Sequence, residues 1–128
     1  MKRVLIVDDE PNVMRVLQLM LERAGFHVRT APDGVVGLAL LRAEAPDVLI
    51  TDIQMPRMDG RELVRTLHQE MPDRAFDIYV MTSMTEREER EWVSRIPNVH
   101  FLEKPVSPRQ LVSRLRAGCT EGALDASA

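Results

Sequence analysis

Residues 4–10 read Val4-Leu5-Ile6-Val7-Asp8-Asp9-Glu10, four apolar residues in a row and then three acids. An unbroken apolar run, without polar alternation, is what a strand covered on both faces requires, and it marks a parallel sheet. The rest of the chain repeats the theme. Pro11 is placed for the first turn of a helix. Val13, Met14, Val16, Leu17, Met20, Leu21 and Ala24 then recur at helical spacing up to Gly25, and the spacing predicts that they face inward. His27 to Ala31 reads as a second, less buried strand. Asp33-Gly34 opens a second helix with Val35, Leu38, Ala39 and Leu41 inward, and Gly34 and Gly37 are expected to shorten or loosen it. Val48-Leu49-Ile50 is a third apolar run.

The second half continues in kind. Asp59-Gly60-Arg61-Glu62 has the acidic cap and the glutamate three positions on that begin a helix, and Leu63, Val64 and Leu67 supply its apolar face. Ile78 to Met81 is a fourth strand. Thr85 with Glu88 opens a charged fourth helix running to about Arg95 and carrying Trp92 and Val93, with Ile96 just beyond. Val99-His100-Phe101-Leu102 is a fifth strand. Ser107, Pro108 and Gln110 start a last helix with Leu111, Val112 and Leu115 inward. Five strand–helix units in 128 residues predict one doubly wound α/β domain, a five-stranded parallel sheet with five helices on its two faces. The domain is expected over residues 1–117. Residues 118–128 are expected to be a flexible tail, with no output domain after them.

Composition removes several function classes. The chain is 45% hydrophobic and 29% charged, with a net charge of −3, so bulk charge does not attract nucleic acid or anionic lipid. No apolar run approaches the roughly 18 residues of a membrane span, and the run after Met1-Lys2-Arg3 ends too soon for a signal peptide. Cys119 is the single cysteine, so no internal disulfide forms and a reducing, cytoplasmic setting is expected. His27, His68 and His100 have no metal-ligand spacing, and neither common glycine-rich phosphate loop is present.

The polar residues that remain fall in one place. Asp8 and Asp9 follow the first strand, Asp52 the third, Thr82 and Ser83 the fourth, and Lys104 the fifth. In a parallel sheet these ends share one edge, where open α/β sheets bind their ligands. Carboxylates brought close raise one another's pKa. A lysine and a divalent cation would relieve them, and an all-oxygen ligand set favours Mg2+ over softer metals. Of the 17 basic residues only Lys2 and Lys104 are lysines. A compact ammonium suits a phosphoryl oxygen in a tight site better than a guanidinium fork does. A carboxylate can itself be the nucleophile of phosphoryl transfer.

Taken together, Val4 to Glu10, Asp52-Ile53-Gln54-Met55-Pro56-Arg57-Met58-Asp59-Gly60, Met81-Thr82-Ser83 and Lys104-Pro105 resemble the receiver domains of two-component response regulators, over about residues 3–117. The resemblance implies the strand order 2-1-3-4-5. It also implies that Asp52 accepts a phosphoryl group from a histidine kinase or phosphotransfer protein. Asp8, Asp9, Asp52 and the carbonyl of Gln54 would hold Mg2+, with Asp8 acting mainly through water. Thr82 and Phe101 would be the switch pair, Lys104 would bind the phosphoryl group, and the Lys104–Pro105 bond would be cis. Gln54 and Met84 would tune the phosphate's lifetime, with Met84 slowing its loss. The face of helix four, strand five and helix five would bind a downstream protein, and a phosphorylation-dependent homodimer through it is left open. No direct nucleic-acid or membrane binding is expected. Where many relatives carry a Gly-Ala pair before strand five, this chain has Arg95-Ile96-Pro97-Asn98, so the partner is the least transferable inference.

Other classes share parts of this pattern. The same module could be the receiver part of a larger response regulator or hybrid histidine kinase. A magnesium-dependent phosphatase with an aspartyl nucleophile needs a second acid two residues after it, and Gln54 stands there. A degenerate receiver would not keep Asp52, Thr82 and Lys104 together. The chain is therefore expected to be no enzyme beyond its own phosphorylation and dephosphorylation.

Overall fold

The computed structural model describes residues 2–82, 91 and 95–127, with side chains to residue 117. Of the expected fourth helix, Thr85, Glu88, Trp92 and Val93 lie outside the described residues.

Five strands form one parallel sheet in the order β2-β1-β3-β4-β5. They are β1 (Arg3–Val7), β2 (His27–Ala31), β3 (Val48–Asp52), β4 (Asp77–Thr82) and β5 (Val99–Glu103). Helices α1 (Pro11–Arg23), α2 (Gly34–Ala43) and α3 (Gly60–Glu70) connect them, and a C-terminal helix (Pro108–Ser127) closes the chain. That helix continues past Gly118, where the sequence pattern predicts its end.

Side chains alternate along each strand, so each strand feeds two cores. Leu5, Val7, Leu49, Ile78 and Val80 pack with Leu38 and Leu41 of α2 and with Leu63, Val64 and Leu67 of α3. Val4, Ile6, Val48, Ile50, Tyr79 and Met81 pack on the other face with Leu17 and Leu21 of α1 and with Leu111 and Leu115 of the C-terminal helix. β3, central in the sheet, is buried at every position, which explains its apolar run. Burying a leucine this fully contributes about 2 kcal/mol.

Two helix faces differ from the expectation. Val16 on α1 is 51% exposed and Val35 on α2 is 39% exposed; Ala39 is exposed as well. The buried stripe of α2 is Gly34, Gly37, Leu38 and Leu41. The glycines therefore belong to the core side of the helix, which spans 10 residues. A Cβ on Gly37 would come within 2.8 Å of the Val7 side chain, so glycine lets α2 lie close against β1. Gly25 stops α1 with a φ of 98°, as a C-terminal glycine does.

The stretch that replaces the Gly-Ala pair is fastened to β4. Asn98 turns through a φ of 60°, and its carbonyl accepts from Ile78 N–H at 2.9 Å. Arg74 donates to the Pro97 carbonyl at 2.6 Å.

Candidate functional site

The strands' carboxyl ends deliver the polar residues to one edge. β1 ends at Val7, and Asp8 N–H donates to the Ala31 carbonyl at 3.1 Å, so the chain leaves the sheet in register with β2. Asp8 is fully buried, and its Oδ1 accepts from Glu10 N–H at 2.9 Å. That bond turns the chain into α1, which has no side-chain cap of its own but starts on Pro11.

Asp52 ends β3 opposite Met81 of β4. Its Oδ1 accepts from Ile53 N–H at 2.8 Å and from the Lys104 ammonium at 2.8 Å. The first turn of α3 presses against it. Gly60 N–H donates to the Ile53 carbonyl at 2.8 Å, and a Cβ on Gly60 would come within 2.0 Å of the Asp52 carbonyl oxygen. Only glycine allows that approach. Asp59 caps the helix by accepting from Glu62 N–H at 2.8 Å, as the acidic cap pattern predicts.

Thr82 ends β4 and is buried. Lys104 follows β5, and its N–H donates to the Thr82 carbonyl at 2.8 Å, extending the β4–β5 ladder by one bond. The Lys104–Pro105 peptide bond is cis.

Carboxylate oxygens of Asp8, Asp9 and Asp52 all lie within 4.8 Å of one another. Burial raises the Asp8 pKa to about 6; the Glu10 N–H opposes this, and the charges of Asp52 and Asp9 add to it. Sequence spacing points to like charges as the cause, and in the structure loss of water is the larger one. Burial also works against the Lys104 ammonium. Its hydrogen bond and attraction to Asp52, with the charges of Asp8 and Glu10, outweigh that and hold its pKa above the usual lysine value.

One ammonium thus faces three carboxylates, and the buried Oδ2 of Asp8 has no hydrogen-bond partner. An unpaired buried carboxylate oxygen costs free energy unless something occupies it. Oxygen-only ligands, excess negative charge and that orphaned atom fit a hard divalent cation.

Gln54 is exposed on the loop after β3. Phe101, on β5, is partly buried and packs on the core that α2 and α3 share with the sheet. Met84, like Ser83, lies outside the described residues. The sequence pattern marks Asp33 only as the start of a helix. It is also a buried charge, with an ion pair to Arg57 that local patterns could not show, because the partner is 24 residues away.

Comparison with known proteins agrees with this geometry. The response regulator receiver domain family matches residues 4–116, and the chain belongs to it. Receiver domains are the phosphoacceptor signalling modules of two-component systems, not classical enzymes. Protein PilH of Pseudomonas aeruginosa is 36% identical over 117 residues, covering 91% of this chain and 97% of that protein. The alkaline phosphatase synthesis transcriptional regulatory protein PhoP of Bacillus subtilis is 34% identical over 116 residues. That match covers 91% of this chain and 48% of PhoP, so the chain spans about half of that relative's length. Among solved structures, the Vibrio cholerae chemotaxis protein CheY4 superposes with a TM-score of 0.83 at 31% identity. The superposition covers 91% of this chain and 97% of that one. A CheY-like receiver domain protein from Methanospirillum hungatei gives a TM-score of 0.87 at 27% identity, covering 98% of each chain.

Proposed function

We propose that Asp52 is the residue phosphorylated. The observation that carries this is the Lys104 ammonium, 2.8 Å from the Asp52 carboxylate, at the edge of a three-carboxylate cluster. Asp8, Asp9, Asp52 and the Gln54 carbonyl would hold Mg2+. When bound, the ion neutralises charge on the transferring phosphoryl group.

The chain's own residues supply the rest. A carboxylate oxygen of Asp52 forms a bond to phosphorus as the phosphorus–nitrogen bond of a phosphohistidine breaks, and the imidazole leaves. Lys104, already beside Asp52, pairs with a phosphoryl oxygen. Thr82, at the adjacent strand end, donates its hydroxyl to another. The new group brings up to about two negative charges. Drawing Thr82 toward it makes room for Phe101 to turn inward. That shifts a pre-existing equilibrium on the face that includes β5 and the C-terminal helix, where a downstream protein binds. Gln54 and Met84 set how fast water removes the phosphate. The donor is a sensor histidine kinase or phosphotransfer protein, and the exchange takes place in the cytoplasm. Among the described residues no helix is long and apolar enough to cross a membrane.

The test is intact mass after incubation with acetyl phosphate, with and without Mg2+, beside an Asp52→Ala variant. One added phosphoryl group that needs Mg2+ and is lost in the variant is the expected result. A group that persists in Asp52→Ala would place the acceptor elsewhere.

A further inference from the structure

Among the described residues five polar or charged ones are buried: Asp8, Asp33, Thr51, Asp52 and Thr82. Four lie at the ends of β1, β3 and β4. Asp33 does not, and no step above uses it.

Asp33 caps α2, its Oδ1 accepting from Val36 N–H at 2.9 Å. A cap needs only one oxygen, and serine, threonine or asparagine would serve. The second oxygen, Oδ2, accepts from Arg57 at 3.1 Å. Arg57 reaches it from the loop between β3 and α3, where its backbone has a φ of 70°. A left-handed conformation at a non-glycine residue costs about 1 kcal/mol or more, so surrounding contacts must hold it. The next pair reinforces the first. Gly34 N–H donates to the Met58 carbonyl at 3.2 Å, and a Cβ there would come within 2.4 Å of that oxygen. The start of α2 therefore grips two successive loop residues, Arg57 by its side chain and Met58 by its backbone. The bond from Gly60 N–H to the Ile53 carbonyl closes the loop at its base. Between these fastenings lies Gln54.

We propose that Asp33 is a positioning residue for the phosphoacceptor loop: with Arg57 it latches residues 54–58 to α2 and so sets the divalent-cation affinity of the Asp8–Asp9–Asp52 cluster. The link to affinity runs through the Gln54 carbonyl and rests on the function proposed above. The Arg57 side chain is 60% exposed, so the pair alone is worth little in stability. Its effect is on where the loop sits.

The experiment is calorimetric Mg2+ titration of the full chain at fixed ionic strength, for the parent, Asp33→Asn, Arg57→Ala and Arg57→Lys. Amide hydrogen exchange over residues 53–58 is measured alongside. Asp33→Asn keeps the capping oxygen, so α2 still forms. Removing Asp33's negative charge lowers cation affinity through the field alone, and removing Arg57's positive charge raises it. A latch predicts the same sign for both: Asp33→Asn and Arg57→Ala each weaken Mg2+ binding by about three- to tenfold, the size of a modest ion pair. Exchange over 53–58 should speed up in both, and Arg57→Lys should recover part of each effect. Opposite signs in the two variants, or unchanged affinity with faster exchange, would overturn the proposal. A parent chain that takes up no Mg2+ overturns the reading of the site instead; unchanged exchange in both variants then overturns the latch as well.

Discussion

Asp8 and Asp33 are both buried, at 0% and 5% exposure, and each turns the chain from a strand into a helix. Asp33 has both oxygens bonded, one to its helix and one to Arg57. Asp8 has one oxygen bonded to Glu10 N–H and the other facing no donor. Burial raises the Asp8 pKa to about 6. The same residue type at similar depth serves two ends. A carboxylate whose hydrogen bonds are complete holds neighbouring segments in place, and one left incomplete in a negative cluster is held ready for a cation.

The largest expected effect separates the acceptor from the latch. Asp52→Asn should lose phosphoryl uptake from acetyl phosphate entirely, whereas Asp33→Asn at saturating Mg2+ should keep it, by intact mass. Equal losses would erase the distinction. Next come the two glycines that hold the loop. Gly60→Ala sets a Cβ against the Asp52 backbone and should lower unfolding free energy by about 3 kcal/mol in urea titration. Gly34→Ala meets a backbone oxygen slightly farther off and should cost somewhat less.

Asp8 itself gives a smaller effect with a definite pH signature. Its folded pKa of about 6 lies above the ordinary 3.8, so between those values the unfolded chain releases the proton first. The metal-free protein should therefore lose stability as pH rises from about 4 to about 6, by roughly 2 kcal/mol. Asp8→Asn should abolish that slope and stabilise the metal-free chain at neutral pH, while removing the stabilisation that added Mg2+ gives the parent. Thermal melts at several pH values, with and without Mg2+, measure all three. A slope that persists in Asp8→Asn would assign the proton elsewhere. The smallest effect lies away from both aspartates: Met84→Glu should speed phosphate loss a fewfold, followed by the decay of the phosphorylated mass. An unchanged rate would break the assignment of Met84.

Much of the site was legible because its residues sit directly after strands, and strands declare themselves by unbroken apolar runs. Asp8, Asp52, Thr82 and Lys104 needed only the rule that parallel strands share a carboxyl edge. Helix faces were harder. Counting large apolar residues as inward misplaced Val16 and Val35, and it hid Gly34 and Gly37, which lie on the buried stripe of α2 because they have no side chain. Spacing cannot show a contact made by absence. The Asp33–Arg57 pair was illegible for another reason, since nothing local to either residue names the other.

The hydrogen bond from Lys104 N–H to the Thr82 carbonyl joins two proposed phosphoryl-binding positions through main chain alone. The separation of these two main-chain positions is therefore set by sheet register. Beyond Met84, the connecting sequence can change charge over evolutionary time while that main-chain bond stays in place. A lineage can thus acquire a new listener while its signal stays the same.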